Sequence, residues 1–191
     1  KCRKFIVIHL VLGGARSGKS SFAEQCTITL AEQQNKATGY IATATAFDDE
    51  MLRRISKHQY DRGESWHLIE CPITLSERLL SLCNSKVYLI DCLTLWLNNQ
   101  LHSVESLGRE QQATHLEYEI AQLVSVLSSA NVDIVIVSNE IGLGVIPMGA
   151  ATRLYVDYCG WLNQAVAKVA DHVTLVTAGI PLTIKTTNKV S

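Results

Sequence analysis

The chain has no C-x-x-C pair, no block of like charge and no apolar run long enough to cross a membrane. Its 6 cysteines, Cys2, Cys26, Cys71, Cys83, Cys92 and Cys159, are scattered, and several lie in apolar segments. That scatter argues against a zinc site or a disulfide scaffold and for buried reduced thiols in a cytoplasmic protein. Lys and Arg number 17 and Asp and Glu 18, for a formal net charge of −1. Such a balance offers no electrostatic footprint for nucleic acid or an anionic membrane, although a small anion needs only a local site. There is also no internal repeat, low-complexity tract or interdomain linker.

What is present is a chain of 191 residues, 47% hydrophobic and 18% charged, enough for one folded domain spanning residues 1–191 with a substantial core. Lys1–Lys4 followed by Phe5–Leu12 has the outline of a signal peptide. The apolar run, however, passes straight into Gly13-Gly14 with no small-residue cleavage pattern, and a buried strand is expected instead. Short apolar segments then alternate with helical ones, the rhythm of an α/β sheet covered on both faces. Strands are expected at Phe5–Leu12, Thr38–Ala42, Trp66–Glu70, Val87–Asp91, Asp133–Ser138 and His172–Thr177. A last strand, Leu182–Lys185, is expected to pair antiparallel after the turn Ala178-Gly179-Ile180-Pro181. Helices are expected at Ser17–Gln34, Asp48–Tyr60, Ser76–Leu82, Leu93–Leu101, Glu110–Ser129 and Thr152–Ala170, with a flexible loop at Ser103–Arg109.

Gly13-Gly14-Ala15-Arg16-Ser17-Gly18-Lys19-Ser20 satisfies G-x-x-x-x-G-K-[ST]. The spacing has a physical cause. Glycines let successive backbone N–H groups turn inward on phosphate oxygens, and the helix that follows presents its positive end to the same anion. Lys19 is placed for the β and γ phosphates, and the Ser20 hydroxyl for Mg²⁺. An expected strand before the loop and a helix after it set this match apart from a chance one.

A phosphate loop of this kind uses a carboxylate at the end of a neighbouring strand to help hold the metal. Asp91, closing Val87–Asp91, is the candidate; a strand-end Asp capping the next turn is the alternative. Asp133 opens its strand and fits less well, whereas Glu140, just past Ser138, is a second acid on the ligand-binding edge. Of the histidines, His9 reads as a packed or edge residue. His58 stands among Arg53, Arg54, Lys57 and Arg62, where phosphate would be welcome and a neutral imidazole can attack phosphorus. Local pattern alone favours a solvated histidine on a charged helix.

Several further segments carry a family resemblance over nearly the whole chain. They are GGARSGKS at Gly13–Ser20, YIATA at Tyr40–Ala44, DDEM-x-x-RI at Asp48–Ile55, DRG at Asp61–Gly63 and W-x-x-x-E at Trp66–Glu70. DCLTLWLNN at Asp91–Asn99, SNEIGLGVIP at Ser138–Pro147, GWLNQ at Gly160–Gln164 and AGIPL at Ala178–Leu182 follow in order. In these the chain resembles the bifunctional adenosylcobinamide kinase/adenosylcobinamide-phosphate guanylyltransferases of cobalamin biosynthesis. It departs from their pattern at Trp161, where an Arg is usual, and across Met148–Thr152.

The resemblance implies a P-loop NTPase-type, mostly parallel sheet and two reactions at one nucleotide site. ATP or GTP phosphorylates adenosylcobinamide, and GTP then gives GMP to that phosphate, with Mg²⁺ assisting. It implies a guanylylated His58 and nucleotide contacts at Gly13–Ser20, Ala42, Thr43, Ala44, Gln59, Tyr60, Asp61, Arg62, Glu70 and Asp91, and it implies a homotrimer. The competing readings are a plain small-molecule kinase in which His58 is a bystander, and a nucleotide-dependent switch ATPase.

Overall fold

The computed structural model describes residues 6–45 and 66–187. Its strands are β1 (Ile8–Gly13), β2 (Ala37–Ala42), β3 (Trp66–Glu70), β4 (Lys86–Asp91), β5 (Ile134–Asn139), β6 (His172–Thr177) and β7 (Ile180–Thr186). The helices are α1 (Lys19–Gln34), α2 (Leu75–Leu80), α3 (Leu93–Ser103), α4 (Arg109–Ser128) and α5 (Ala150–Val169). The helix expected at Asp48–Tyr60 lies outside the described residues. The strands form one sheet in the order β3-β2-β4-β5-β1-β6-β7, parallel throughout except for the β6–β7 edge pair. This is the α/β sheet expected, with the antiparallel closing strand in its expected place.

Apolar content decides the centre of the sheet. Val87–Ile90 and Ile134–Val137 are unbroken apolar runs because both of their faces are covered, as in parallel sheets generally. On one face α1 packs Ala23 against Val11, Tyr40, Leu89, Val135, Val137 and Val176. Its buried positions Ala23, Thr27 and Ala31 recur every four residues and are small, so the helix lies close to the strands. Thr27 is tolerated there because its hydroxyl donates to the Ala23 carbonyl at 2.8 Å. The opposite face carries α2 to α5 over a larger cluster that includes Leu10, Ile41, Ile90, Trp96, Leu116, Leu123 and Leu162.

Several boundaries shift by a few residues from the sequence expectation, and three of the shifts have a clear local reason. β1 starts at Ile8 rather than Phe5, where the Val7 and Ile8 amides donate to the carboxylates of Asp133 and Asp171 at 3.0 and 2.9 Å. Asp133 also pairs with Lys36 at 2.9 Å, so it anchors the edge away from the phosphate loop. α1 starts at Lys19 rather than Ser17, because Gly18 has φ +93°, outside the helical region. The expected loop Ser103–Arg109 shrinks to residues 104–108, and the Gln112 side chain ties it by donating to the Leu107 carbonyl at 2.9 Å.

The last hairpin turns on Ala178 and Gly179, both at positive φ (50° and 77°). Two such residues suit the twist of a two-residue hairpin, and Pro181 is accommodated because β7 is an edge.

Of the thiols, Cys71, Cys92 and Cys159 are buried and unpaired as expected, but Cys83 is exposed. His9 is indeed packed: its Nε2 lies 2.9 Å from the Thr174 hydroxyl and its ring meets His172 edge-on at 5.6 Å. Burial and the neighbouring His172 pull its pKa down to about 4.

Candidate active site

All six parallel strands end on the same edge, where open α/β sheets bind ligands. Across that edge stand, in spatial order, Glu70 after β3, Ala42–Ala44 after β2, Asp91 after β4, Glu140 after β5 and the loop Gly13–Ser20 after β1. At roughly 4.8 Å per strand, Asp91 lies about 10 Å to one side of the loop and Glu70 about 19 Å. The carboxylate strand is thus not the immediate neighbour of β1, as the sequence suggested; β5 is interposed. Glu70 is exposed at the far side, so the predicted residues define a long shelf rather than a compact pocket.

The phosphate loop is held on three sides. The Ser17 amide donates to the Gly14 carbonyl at 3.3 Å, closing a turn with Arg16 at φ +56°. The Glu140 amide donates to the Gly13 carbonyl at 3.1 Å, and the Gly179 amide to the Ser17 carbonyl at 2.8 Å. The β6–β7 turn is therefore a wall of the loop. The sequence marks this stretch as a turn and as the AGIPL segment of the family resemblance, without a role beside the phosphate loop.

Lys19 is only 9% exposed, and its Nζ donates to the Gly14 carbonyl at 3.1 Å. Burial draws its ammonium below the usual lysine pKa, and the nearby Asp91 carboxylate works against that. Ser20 sits half-buried in the first turn of α1, where N–H groups have no intrahelical acceptor. Arg16 and Ala15 are exposed on the outer rim.

Asp91 is pinned from β2. Its carbonyl accepts from the Thr43 amide at 3.1 Å, and its Oδ2 accepts from the Tyr40 hydroxyl at 2.8 Å. Thr43 itself is fully buried: its hydroxyl donates to the Cys92 carbonyl and accepts from the Cys92 amide, both at 2.7 Å. The hydroxyl of Thr43 is therefore spent inside the fold, and Ala44, half-buried just beyond, is what this loop offers outward. Asn99, 4% exposed, donates to the carbonyls of Thr43 and Pro72 at 2.8 and 3.0 Å and so joins the ends of β2 and β3. The Glu140 Oε1 accepts from the Gly142 amide at 3.0 Å. Neither Tyr40 nor Asn99 was singled out by sequence reasoning. Both fall in segments that carried the family resemblance without a stated role. His58, Gln59, Tyr60, Asp61 and Arg62 lie outside the described residues.

A mostly parallel sheet, a glycine-rich loop between β1 and a helix, a buried lysine at the head of that helix and a carboxylate two strands away define a P-loop nucleotide-binding protein. Within that class, residues 9–184 match the family model for cobinamide kinase / cobinamide phosphate guanyltransferase, and the chain belongs to that family.

The chain is 44% identical over 177 residues to the bifunctional adenosylcobalamin biosynthesis protein CobP of Pseudomonas aeruginosa, covering 92% of this chain and 96% of that one. It is 36% identical over 186 residues to the bifunctional adenosylcobalamin biosynthesis protein CobU of Salmonella typhimurium, covering 92% and 98%. Among solved structures, the flagellar accessory protein FlaH of Methanocaldococcus jannaschii shares the fold. Its TM-score is 0.50 at 11% identity, over 95% of this chain and 79% of that one.

Proposed function

We propose that this chain is a bifunctional enzyme that phosphorylates adenosylcobinamide and then converts the product to adenosylcobinamide-GDP, with His58 as the covalent carrier of GMP. The observation that carries the reading is Lys19 buried in a glycine loop at the head of α1, within a family of that double activity. In the first step the substrate hydroxyl attacks the γ phosphorus of ATP or GTP. The bond to the bridging oxygen breaks, the nucleoside diphosphate leaves and the hydroxyl proton is released. In the second, a ring nitrogen of His58 attacks the α phosphorus of GTP and expels pyrophosphate. The phosphate of the corrinoid then attacks the same phosphorus and frees the histidine.

Gly13–Ser20 cradles the phosphates, Lys19 offsets the charge that grows on them, and Ala42–Ala44, Gln59–Arg62 and Glu70 line the rest of the nucleotide. The oxygens of Ser20 and Asp91 suit Mg²⁺. Among the described residues no group of three His, Cys, Asp or Glu side chains gathers. That fits an ion bound by few protein oxygens together with substrate phosphates. The ion would supply charge neutralisation there. Buried unpaired thiols at Cys71, Cys92 and Cys159 support a reducing, cytoplasmic setting.

The test is GTP labelled at the α phosphorus. Parent protein should retain acid-labile, base-stable label, whereas His58→Ala should retain none while still passing γ label to adenosylcobinamide. Equal labelling of the two proteins would sink the covalent step. Loss of γ transfer to the corrinoid in the parent would instead favour a switch ATPase.

The homotrimer belongs to the same reading. Leu143, Val145, Ile146 and Met148, on the β5–α5 loop, are 77–96% exposed, an apolar surface that asks for a cover. Sedimentation should give a mass about three times that of the chain, and a monomer at micromolar concentration would refute it. Trp161, the departure on α5, stacks edge-on against Tyr158 at 4.8 Å and remains half-exposed, outside the phosphate loop.

A further inference from the structure

We propose that Tyr40 is a positioning residue, holding the Asp91 carboxylate in the one orientation that receives the metal and thereby setting the cation affinity of the site. The inference rests on the reading of Asp91 as the metal carboxylate.

Register places the two side chains together. The parallel pairing of β2 with β4 sets Tyr40 beside Leu89 and Ala42 beside Asp91. Residues in register share a face and so do residues two apart, which puts Tyr40, Leu89 and Asp91 on the α1 side of the sheet. From two residues behind Asp91, a phenol is long enough to reach the carboxylate, and its hydroxyl donates to Oδ2 at 2.8 Å. Ala42, alongside Asp91, is too small to stand between them.

The donor is itself immobile. Tyr40 is 4% exposed and its ring meets Trp66 edge-on, at 6.0 Å between centroids and 87° between planes. The backbone of Asp91 is fixed from the same strand by the Thr43 amide. With main chain and Oδ2 both held from β2, Oδ1 is presented in a single direction. A carboxylate without the hydroxyl would have to be ordered by the metal itself. Partners of this kind are typically worth about 10- to 100-fold in metal affinity.

The experiment titrates Mn²⁺, in the presence of GTP, into full-length parent, Tyr40→Phe, Asp91→Asn and Trp66→Phe, with free Mn²⁺ read by electron paramagnetic resonance. Tyr40→Phe removes one oxygen and keeps the ring. Its Mn²⁺ Kd should rise by about tenfold or more, with the KM for GTP at saturating metal close to that of the parent. Trp66→Phe loosens the packing of the ring but leaves the hydroxyl, and should bind Mn²⁺ as the parent does. Parent-like affinity in Tyr40→Phe alongside lost affinity in Asp91→Asn would overturn the positioning role. So would an equal loss in Trp66→Phe, which would assign the effect to packing. Parent-like affinity in Asp91→Asn would overturn the metal reading itself.

Discussion

Replacing Lys19 by methionine is expected to slow both phosphoryl and guanylyl transfer by about 100- to 1000-fold while leaving the protein at least as stable as before. The two halves of this expectation have one cause. The ammonium of Lys19, a residue 9% exposed whose Nζ donates to the Gly14 carbonyl at 3.1 Å, is held at a desolvation cost. Folding alone gains little from it. Anionic phosphates give it a partner, and the burial of the lysine strengthens the field it exerts on them. Methionine fills nearly the same volume without the charge, so the burial cost disappears along with catalysis. Arginine would not rescue, because a planar guanidinium is larger than the space a 9% exposed side chain occupies. Initial rates with γ- and α-labelled GTP, together with thermal melts, check both halves. Less than a tenfold loss in either transfer would mean that Lys19 is not the phosphate lysine. A markedly lower melting point would mean that it is a structural residue.

The features legible in the sequence are those where one local rule dominates. Gly13–Ser20 could be read because two of its glycines answer a backbone demand that other residues meet poorly, Gly18 at φ +93° and Gly13 against the Val176 carbonyl. The central strands could be read because a covered parallel sheet leaves them no polar face. The antiparallel closing strand followed from the Ala178-Gly179 turn.

Spatial order was not legible. Nothing in Val87–Asp91 or Asp133–Ser138 says which strand lies beside β1, since strand order is fixed by helices crossing over whole faces. Asp91 does close its strand, but that strand stands two places from β1 rather than beside it. The wall at Gly179, the clamp at Asn99 and the hydroxyl of Tyr40 share that origin. Each acts on residues at least 27 positions away, and only the folded chain brings the two ends together. Thr43 shows the converse. It was marked as a ligand residue by its segment, yet its hydroxyl turns inward to Cys92.

Gly13→Ala is expected to lower both transfers by about 100-fold, since a misplacement near 1 Å costs that much. The reason is proximity. A Cβ at Gly13 would stand 2.5 Å from the Val176 carbonyl oxygen and 2.5 Å from the Ser17 hydroxyl. The serine can rotate, but the carbonyl belongs to β6, which is locked to β1 by parallel pairing from His9↔His172 to Leu12↔Leu175. Relief must then come from the loop, at the point where β1 hands over to the phosphate cradle and where the Glu140 amide grips the Gly13 carbonyl.

Forcing one methyl group into such a site costs about 1–3 kcal/mol, which for a chain of this size lowers the thermal midpoint by roughly 2–12 °C. Gly14→Ala is the matched control, since its Cβ meets nothing within 4 Å and the melting point should stay with the parent. Thermal melts of the two variants, read beside their initial rates, decide the matter. Equal melting points would show that β1 and β6 part easily there, and that the glycine serves the ligand rather than the packing of the loop.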